Sequence, residues 1–299
     1  MILVLSAIVG GGLGLAAAVL VEALDRRVRL PRHLEAAGLR TLGVVPAVRR
    51  ARGAFAMRLR RRGVALSPAE AARAGEEGAY AVAAPGSPFG NALRRAKTQI
   101  ASLLPEARGG VVLGVAALAP GEGASTIAAN LGRLFALDGR STLVVDANLH
   151  NETLSQAGYE AMAQGGGARP HALPATGLAA ALREGVAHDP ALEPSGADLL
   201  GSARARRLLD GLRQRYDVVI LDLPALESVP DAAALAPALD GVVLVVGWGT
   251  TTLSALEETV AALRRDGVSL TGGILNKARP RAMRAFGYRA LDRGYGRRP

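Results

Sequence analysis

Short, mainly apolar runs that alternate with helical patterns are the feature that most constrains how this chain can fold. Five runs have the length of a single strand: residues 111–117, 141–146, 217–222, 241–247 and 270–275. Because a strand that is apolar on both faces must be covered on both faces, these runs predict a parallel α/β sheet with helices on each side. Helices are expected over residues 89–104, 125–137, 199–214, 231–238 and 252–265.

Composition excludes several other classes of protein. The chain has 299 residues, of which 49% are hydrophobic and 21% charged, so it has ample material for a core and is not disordered as a whole. It contains no cysteine, which excludes disulfide scaffolds, cysteine-ligated zinc, iron–sulfur clusters and thiol catalysis. Its four histidines lack the spacing of metal ligands.

The basic charge is concentrated outside the predicted sheet. The formal net charge is +10, yet residues 64–276 alone carry a net charge of −6. Twelve arginines lie within residues 25–63, and eight basic residues lie within residues 277–299. Few aromatic side chains lie among them, Phe55 in the first group and Phe286, Tyr288 and Tyr295 in the second. Such a low number is a poor set of stacking platforms, so nucleic acid is not an expected partner.

The N-terminal segment offers a better explanation for the first group of arginines. Residues 1–21 contain no charged residue, and a helix of that length can cross the roughly 30 Å hydrocarbon core of a bilayer. Arginines follow this run from Arg26 onward, so the positive-inside rule predicts a single-pass inner-membrane protein whose remainder is cytoplasmic. A buried helix of a soluble protein is the alternative.

Four segments are expected along the chain. The arginines that follow the predicted membrane helix are expected to contact anionic headgroups, which makes membrane lipids a predicted partner; a merely solvated run of charge is the alternative. A short helix at residues 31–38 and a strand at residues 42–46 interrupt this basic region. The segments are a transmembrane helix at 1–24, a basic juxtamembrane segment and linker at 25–88, an α/β domain at 89–276, and a basic tail at 277–299.

A glycine-rich loop, residues 119–126, joins the strand at 111–117 to the next helix. Backbone N–H groups in such a loop and at the helix N-terminus point toward one place and create a site for an anion. Against the phosphate-loop pattern G-x-x-x-x-G-K-[ST], Gly123 aligns with the second glycine, Ala124 with the lysine and Ser125 with the hydroxyl. The expected nucleotide-binding residues are Pro120, Gly121, Glu122, Gly123, Ala124, Ser125 and Thr126.

Two aspartates complete the candidate site. Asp146 and Asp222 each end an apolar strand, and the carboxyl ends of parallel strands meet at one edge of the sheet. Two carboxylates beside the Ser125 hydroxyl are the groups needed to hold Mg²⁺ on a nucleotide. A role in a loop or a helix cap is the alternative for either aspartate alone.

Taken in order, these motifs resemble the bacterial tyrosine kinases (BY-kinases) that are fused to polysaccharide co-polymerases of the Wzz type. The resemblance runs from about residue 2 to the C-terminus and covers the C-terminal half of such proteins. Its pieces are residues 25–27, 42–46, 120–123, 125–126, 129–131, 143–149, 216–224, 231–232, 240–246 and 273–276.

The resemblance implies a P-loop NTPase-like fold, ATP or ADP with Mg²⁺ as cofactors, and phosphate binding by the glycine-rich loop. It implies that Mg²⁺ is held through Ser125, with Asp146 as the Walker A′ carboxylate and Asp222 as the Walker B carboxylate, and that both aspartates serve catalysis. It implies phosphoacceptor tyrosines in the tail, here Tyr288 and Tyr295. The implied partners are proteins of polysaccharide polymerisation and export, and further copies of the chain.

The sequence departs from the family at the loop. Ala124 stands where the family has a lysine, while Asn148 and His150 stand where it has an aspartate and an arginine. The chain uses only two lysines, Lys97 and Lys277, so compositional bias would have placed an arginine at position 124 and kept the charge. Losing this cation is expected to slow phosphoryl transfer on the order of 10²-fold or more while nucleotide binding is retained.

The family's E-x-x-R-x-x-R helix, which is associated with ring assembly, is also incomplete. It reads N-A-L-R-R-A-K over residues 91–97, without the acidic residue. The leading hypothesis is a membrane-anchored, catalytically impaired regulatory module of exopolysaccharide or capsule biosynthesis and export. An active autophosphorylating tyrosine kinase and a MinD/ParA-like ATPase switch are the alternatives, and the lysine-bearing loop of the latter class counts against it.

Overall fold

A computed structural model describes residues 10–12, 14, 25–47, 80–83, 86–104, 109–149, 171–173, 178–179, 181–182, 196–226 and 234–285. The strands are β1 Thr41–Pro46, β2 Val111–Ala117, β3 Thr142–Asp146, β4 His171–Leu173, β5 Val218–Asp222, β6 Gly241–Gly247 and β7 Leu270–Ala278. The helices are α1 Pro31–Ala36, α2 Tyr80–Ala83, α3 Pro88–Leu103, α4 Ala124–Leu137, α5 Gly196–Leu200, α6 Ala203–Arg215, α7 Leu253–Arg265 and α8 Pro280–Ala285, with a 3₁₀ turn at Ala236–Ala238.

The seven strands form one sheet in the order β1-β7-β6-β2-β5-β3-β4, and all neighbouring pairs are parallel. Side chains of α3 and α4 pack on one face of the sheet. On the other face, α6 covers the β2–β5–β3 side, and α1 and α7 cover the β6–β7 side. The predicted parallel α/β fold with helices on both faces is therefore confirmed.

The central strand β2 positions the glycine-rich loop. All seven residues of β2 are buried, and the strand lies between β5 and β6. The chain leaves β2, forms α4 and returns as β3, which lies beyond β5. Such a change in strand order opens a crevice at the carboxyl edge of a parallel sheet, and the glycine-rich loop begins at that point.

Several elements differ from the sequence-based prediction. The helix predicted over 199–214 is divided into α5 and α6, because the Ser202 hydroxyl accepts a hydrogen bond from the Ala205 N–H (3.1 Å) and starts a new helix. Strand β7 continues to Ala278, beyond the predicted end at residue 275. Strand β4 was not predicted; three residues are too few to show a periodic pattern.

The residues that follow the predicted membrane helix are part of the folded unit. Strand β1 pairs with β7 at the edge of the sheet, although the sequence pattern assigns it to the segment at 25–88. Ahead of it, residues 26–28 run alongside the start of α7: the Val28 N–H donates to the Thr251 carbonyl (2.8 Å), and the Leu253 N–H donates to the Arg26 carbonyl (2.9 Å). Main-chain hydrogen bonds therefore attach the segment to the sheet.

The single tryptophan, Trp248, lies at this junction. Its indole N–H donates to the Arg29 carbonyl at 2.9 Å. The guanidinium groups of Arg29 and Arg279 lie 6.0 and 5.8 Å from the centre of its ring, within the range of cation–π attraction. The ring thus connects the N-terminal segment, the end of β6 and the start of the C-terminal segment.

Several predictions fall outside the described residues. Residues 1–24, apart from four glycines, residues 48–79, and the two candidate phosphoacceptors Tyr288 and Tyr295 belong to this group. None of the helices in the described part of the chain combines the length and the apolar character that a membrane crossing requires. The division into four segments stays a prediction.

The structure predicts a pH-dependent contribution of His33 to stability. Its Nδ1 accepts a hydrogen bond from the Arg29 N–H (3.2 Å). Burial, together with the positive charge of Arg32, lowers the pKa of His33 below its ordinary value of 6.5, against the opposing effect of a backbone hydrogen bond. His33 therefore binds a proton more readily in the unfolded chain than in the folded one. Its neutral imidazole stabilises the folded state above pH 6.5, and this contribution is lost as the pH falls.

We expect the melting temperature to drop between about pH 7.5 and pH 5.5 by more in the wild type than in His33→Asn. The asparagine oxygen can accept the same hydrogen bond but does not titrate. Circular dichroism melts of both proteins across this range measure the difference. Parallel pH dependences would contradict the role given to His33.

Candidate functional site

The glycine-rich loop has a backbone shape that only glycine adopts easily. Gly121 and Gly123 both have positive φ angles, +80° and +99°, and Gly123 is the N-cap of α4. A Cβ on Gly123 would lie 2.5 Å from Nδ2 of Asn276, so that position is also sterically closed. Both glycines therefore serve the curvature of the loop, and Gly123 also allows its close approach to the end of β7.

A buried carboxylate holds this loop in place. Glu122 is 3% exposed and accepts hydrogen bonds from the N–H groups of Leu118 (3.1 Å) and Ala119 (3.3 Å). It also accepts from the hydroxyls of Thr250 (3.1 Å) and Thr251. The Glu122 side chain therefore has a structural role, and the part of residue 122 in nucleotide binding stays a prediction.

The end of β7 contacts backbone carbonyl groups of the loop. Nδ2 of Asn276 donates to the Glu122 carbonyl at 2.7 Å. The ammonium of the next residue, Lys277, donates to the Gly121 carbonyl. Neither residue was predicted to belong to the site, although both lie at the carboxyl end of a predicted strand, where a ligand-facing residue is expected in this class of fold.

The first turn of α4 presents the residues that align with the lysine and the hydroxyl of the phosphate-loop pattern. Ala124 is 9% exposed, while Ser125 and Thr126 are half-buried. The turn is braced from behind: Nδ2 of Asn130 donates to the Thr126 carbonyl (2.8 Å), and Oδ1 of Asn130 accepts from the Ala81 N–H (2.8 Å). The backbone of the helix N-terminus is thus fixed in position.

The two predicted aspartates lie side by side. Asp146 at the end of β3 is in register with Asp222 at the end of β5, and Asp222 is in register with Val115 of β2. Both aspartates are fully buried. Their alternate neighbours Val144 and Ile220 belong to the core beneath α4, so both carboxylates are on the α4 side of the sheet.

The predicted site residues lie at one edge of the sheet. The glycine-rich loop and Ser125 follow the end of β2, Asp146 and Asp222 end the nearby strands β3 and β5, and both aspartates are on the face that α4 covers. A serine hydroxyl and two carboxylates are oxygen donors, the type that Mg²⁺ prefers. No cluster of three or more His, Cys, Asp or Glu suited to a metal occurs in the described part of the chain; the expected Mg²⁺ site, completed by phosphate and water, does not require one.

Other motif positions have partners within the chain. Asn148 is buried, and its N–H donates to Oδ1 of Asp146 at 3.0 Å. On α3, which contains residues 91–97 of the incomplete E-x-x-R-x-x-R pattern, Arg94 donates to the Ala81 carbonyl (3.2 Å) and Lys97 forms an ion pair with Asp138. His150 lies outside the described residues.

The two glycines that flank α4 provide a matched test of the loop. Gly123→Ala and Gly139→Ala both place an alanine at positive φ, which costs about 1–2 kcal/mol. Gly139 (φ +83°) has open space around its Cβ direction, whereas Gly123→Ala forces Asn276 away from the loop. The free energy of unfolding, from urea titration, should fall by roughly 1–3 kcal/mol more for Gly123→Ala. Equal costs would show that the Asn276 contact does not hold the loop.

Comparison with known proteins identifies the family. No family model matches the sequence. The chain is 32% identical over 215 residues to the succinoglycan biosynthesis transport protein ExoP of Rhizobium meliloti (strain 1021), covering 66% of this chain and 26% of ExoP, so it spans about a quarter of that relative. It is 31% identical over 175 residues to the tyrosine-protein kinase YwqD of Bacillus subtilis (strain 168), covering 56% of this chain and 73% of YwqD.

The solved structures agree with the fold. The kinase domain of the Escherichia coli tyrosine kinase ETK superposes with a TM-score of 0.62 at 20% identity, over 84% of this chain and 95% of that domain. This superposition shows that the two proteins share a fold over most of both chains. The match to most of YwqD, at 31% identity, shows that the chain belongs to the bacterial tyrosine kinase (BY-kinase) family.

Proposed function

We propose that the chain is a nucleotide-binding regulatory module of exopolysaccharide or capsule biosynthesis and export in which phosphoryl transfer is weak or lost. Membership of the BY-kinase family and similarity to a succinoglycan biosynthesis transport protein support the biological setting. The single observation that carries the loss of activity is Ala124, which occupies the first position of α4.

The structure supports the binding half of the proposal. The glycine-rich loop directs the N-terminus of α4 toward the carboxyl edge of the sheet, and a helix N-terminus favours phosphate through its dipole and its free N–H groups. Ser125, Asp146 and Asp222 are the residues that would hold Mg²⁺, which neutralises phosphate charge when bound. ATP or ADP with Mg²⁺ is therefore the proposed ligand.

The proposed weakness in transfer has a direct physical cause. Catalysis of phosphoryl transfer depends mainly on positioning and on positive charge near the transferred group. The methyl side chain of Ala124 supplies neither a charge nor a hydrogen-bond donor at the place where the family carries an ammonium. The loop amides and the helix N-terminus that bind phosphate remain in place, so nucleotide binding is expected to survive better than turnover.

The remaining parts of the proposal concern the setting of the module. Residues 1–24 anchor it as a single-pass protein in the inner membrane, with the described domain in the cytoplasm and its basic segments near anionic lipid. Its partners are the proteins of polysaccharide polymerisation and export, and further copies of itself. Tyr288 and Tyr295 are the proposed phosphoacceptors.

Restoring the lysine should restore transfer. We expect wild-type protein to bind ADP and ATP in calorimetry but to give little phosphotyrosine signal with Mg-ATP. Ala124→Lys should raise the autophosphorylation rate on the order of 10²-fold, and Ala124→Met, of similar length without charge, should not. Adding Tyr288→Phe and Tyr295→Phe to Ala124→Lys should remove the signal.

Two results would overturn this proposal. A strong phosphotyrosine signal from the wild type would make it an active kinase. A wild type that binds neither ADP nor ATP would reduce the glycine-rich loop to a structural turn.

The membrane anchor is tested independently. Arginines introduced by Leu13→Arg and Leu15→Arg near the middle of the apolar segment each cost about 3 kcal/mol in a membrane helix. We expect the wild type to remain in the membrane pellet after an alkaline carbonate wash, and this double variant to be released. The double variant Ala16→Leu, Ala17→Leu is the apolar control and should pellet. Release of the wild type would contradict the anchor.

A further inference from the structure

Lys277 lies against the glycine-rich loop, although the chain retains almost no lysine. Only Lys97 and Lys277 occur among 36 basic residues, and the rest are arginines. The ammonium of Lys277 donates to the Gly121 carbonyl, and its Cε lies 3.8 Å from the point where a Cβ on Gly123 would be. The side chain therefore extends across the turn of the loop.

The backbone at Lys277 is held in an unfavourable conformation. Its φ angle is +58°, and it is the one non-glycine residue with positive φ in the described part of the chain. The residues before and after Lys277 are both held by hydrogen bonds. Nδ2 of Asn276 donates to the Glu122 carbonyl (2.7 Å), and the Ala278 carbonyl accepts from the Ala47 N–H (2.9 Å). Strained residues that the surrounding structure holds in place are concentrated at functional sites.

The present partner of Lys277 leaves its charge available. The Lys277 side chain is exposed and, among the described residues, its ammonium contacts the Gly121 carbonyl and no carboxylate. The nearby Glu122 carboxylate is occupied by two N–H groups and by the hydroxyls of Thr250 and Thr251. A charged phosphate oxygen is a stronger acceptor for an ammonium than a neutral carbonyl. A phosphate bound at the loop would therefore attract this ammonium.

Lys97 provides the contrast. Its ammonium forms an ion pair with Asp138, which follows the C-terminus of α4, while Lys277 lies near the N-terminus of that helix. A helix of 14 residues is about 21 Å long, so the two ammonium groups are at opposite ends of α4. Lys97 cannot reach a ligand at the glycine-rich loop.

The geometry points to Lys277 as the residue that supplies the positive charge for the phosphate groups of the bound nucleotide, in place of the lysine absent at position 124. This inference rests on the proposed nucleotide binding. The ammonium comes from the end of β7 and reaches the loop at Gly121, not from position 124 in the first turn of α4. We therefore assign it to the affinity for the phosphate groups and not to the rate of phosphoryl transfer. It distinguishes ADP and ATP from AMP, which lacks the β-phosphate.

Binding measurements on the full chain test this role. Calorimetry should show ADP and ATP bound about 10- to 100-fold more weakly by Lys277→Met than by the wild type, the effect of losing a hydrogen bond to a charged group. AMP affinity should change little. Lys277→Arg, which keeps the charge, should retain most of the affinity, and the matched control Lys97→Met should bind as the wild type does. Added salt should weaken ADP binding by the wild type more than by Lys277→Met.

Covalent labelling gives a second, independent readout. An ATP analogue with an acyl group on its terminal phosphate transfers that group to a lysine amine nearby, releasing the nucleotide and forming an amide. With two lysines in the chain, peptide mass spectrometry should find the amide on Lys277 and not on Lys97, and ADP should prevent it. Ala124→Lys introduced into Lys277→Met should restore ADP affinity, which also shows that the variant is folded.

The outcomes separate this inference from the proposed function. If the wild type binds ADP but Lys277→Met binds it equally well, or if the label is found only on Lys97, Lys277 is a structural contact and the inference is wrong while the proposed function stands. If the wild type binds no nucleotide, both are wrong.

Discussion

The buried carboxylate of Glu122 holds together the part of the molecule on which the candidate site depends. It joins its own loop, through two N–H groups, to the hydroxyls of Thr250 and Thr251 at the start of α7. A buried charge is tolerated only when such partners surround it, so these groups form one unit. Gly247 is part of the same unit, because a Cβ there would lie 2.7 Å from Oε1 of Glu122. The loop is therefore shaped before a ligand arrives, which lowers the cost of ordering it on binding.

Much of this architecture could be predicted from local sequence, and the rest depends on contacts between distant residues. The apolar runs of β2 and β6 have the bounds that the sequence indicates, and Asp146 and Asp222 are recognisable because a carboxylate seldom ends a buried strand without a reason. The Lys277 contact joins residues 156 positions apart and depends on a left-handed residue that no periodic pattern reveals. The predicted helix over 199–214 is divided at Ser202, whose hydroxyl accepts one backbone hydrogen bond. The helix propensities of the residues do not reveal this break.

The chain separates two properties that a phosphate loop normally combines. Its glycines and the N-terminus of α4 keep the backbone N–H donors of such a loop. Ala124 leaves the first turn of α4 without the flexible, positively charged side chain that the pattern has there. The helix dipole favours an anion at the N-terminus, and its effect falls off within the first turn. An ammonium on a flexible side chain can instead follow charge as it moves between phosphorus oxygens. Membership of the BY-kinase family therefore accounts for the fold, whereas the proposed loss of phosphoryl transfer rests on this one residue, Ala124.

Trp248 has a consequence for how this protein can be observed. It is the only indole in the chain, and the hydrogen bond to the Arg29 carbonyl places it where residues 25–30 meet the domain. Detachment of that segment would expose the ring to water and shift its emission to longer wavelength, while the five tyrosines contribute little when excitation is selective. The chain thus contains an intrinsic fluorophore where its N-terminal segment contacts the sheet. The wavelength of its emission maximum reports in solution, without an added dye, whether that segment is bound to the domain.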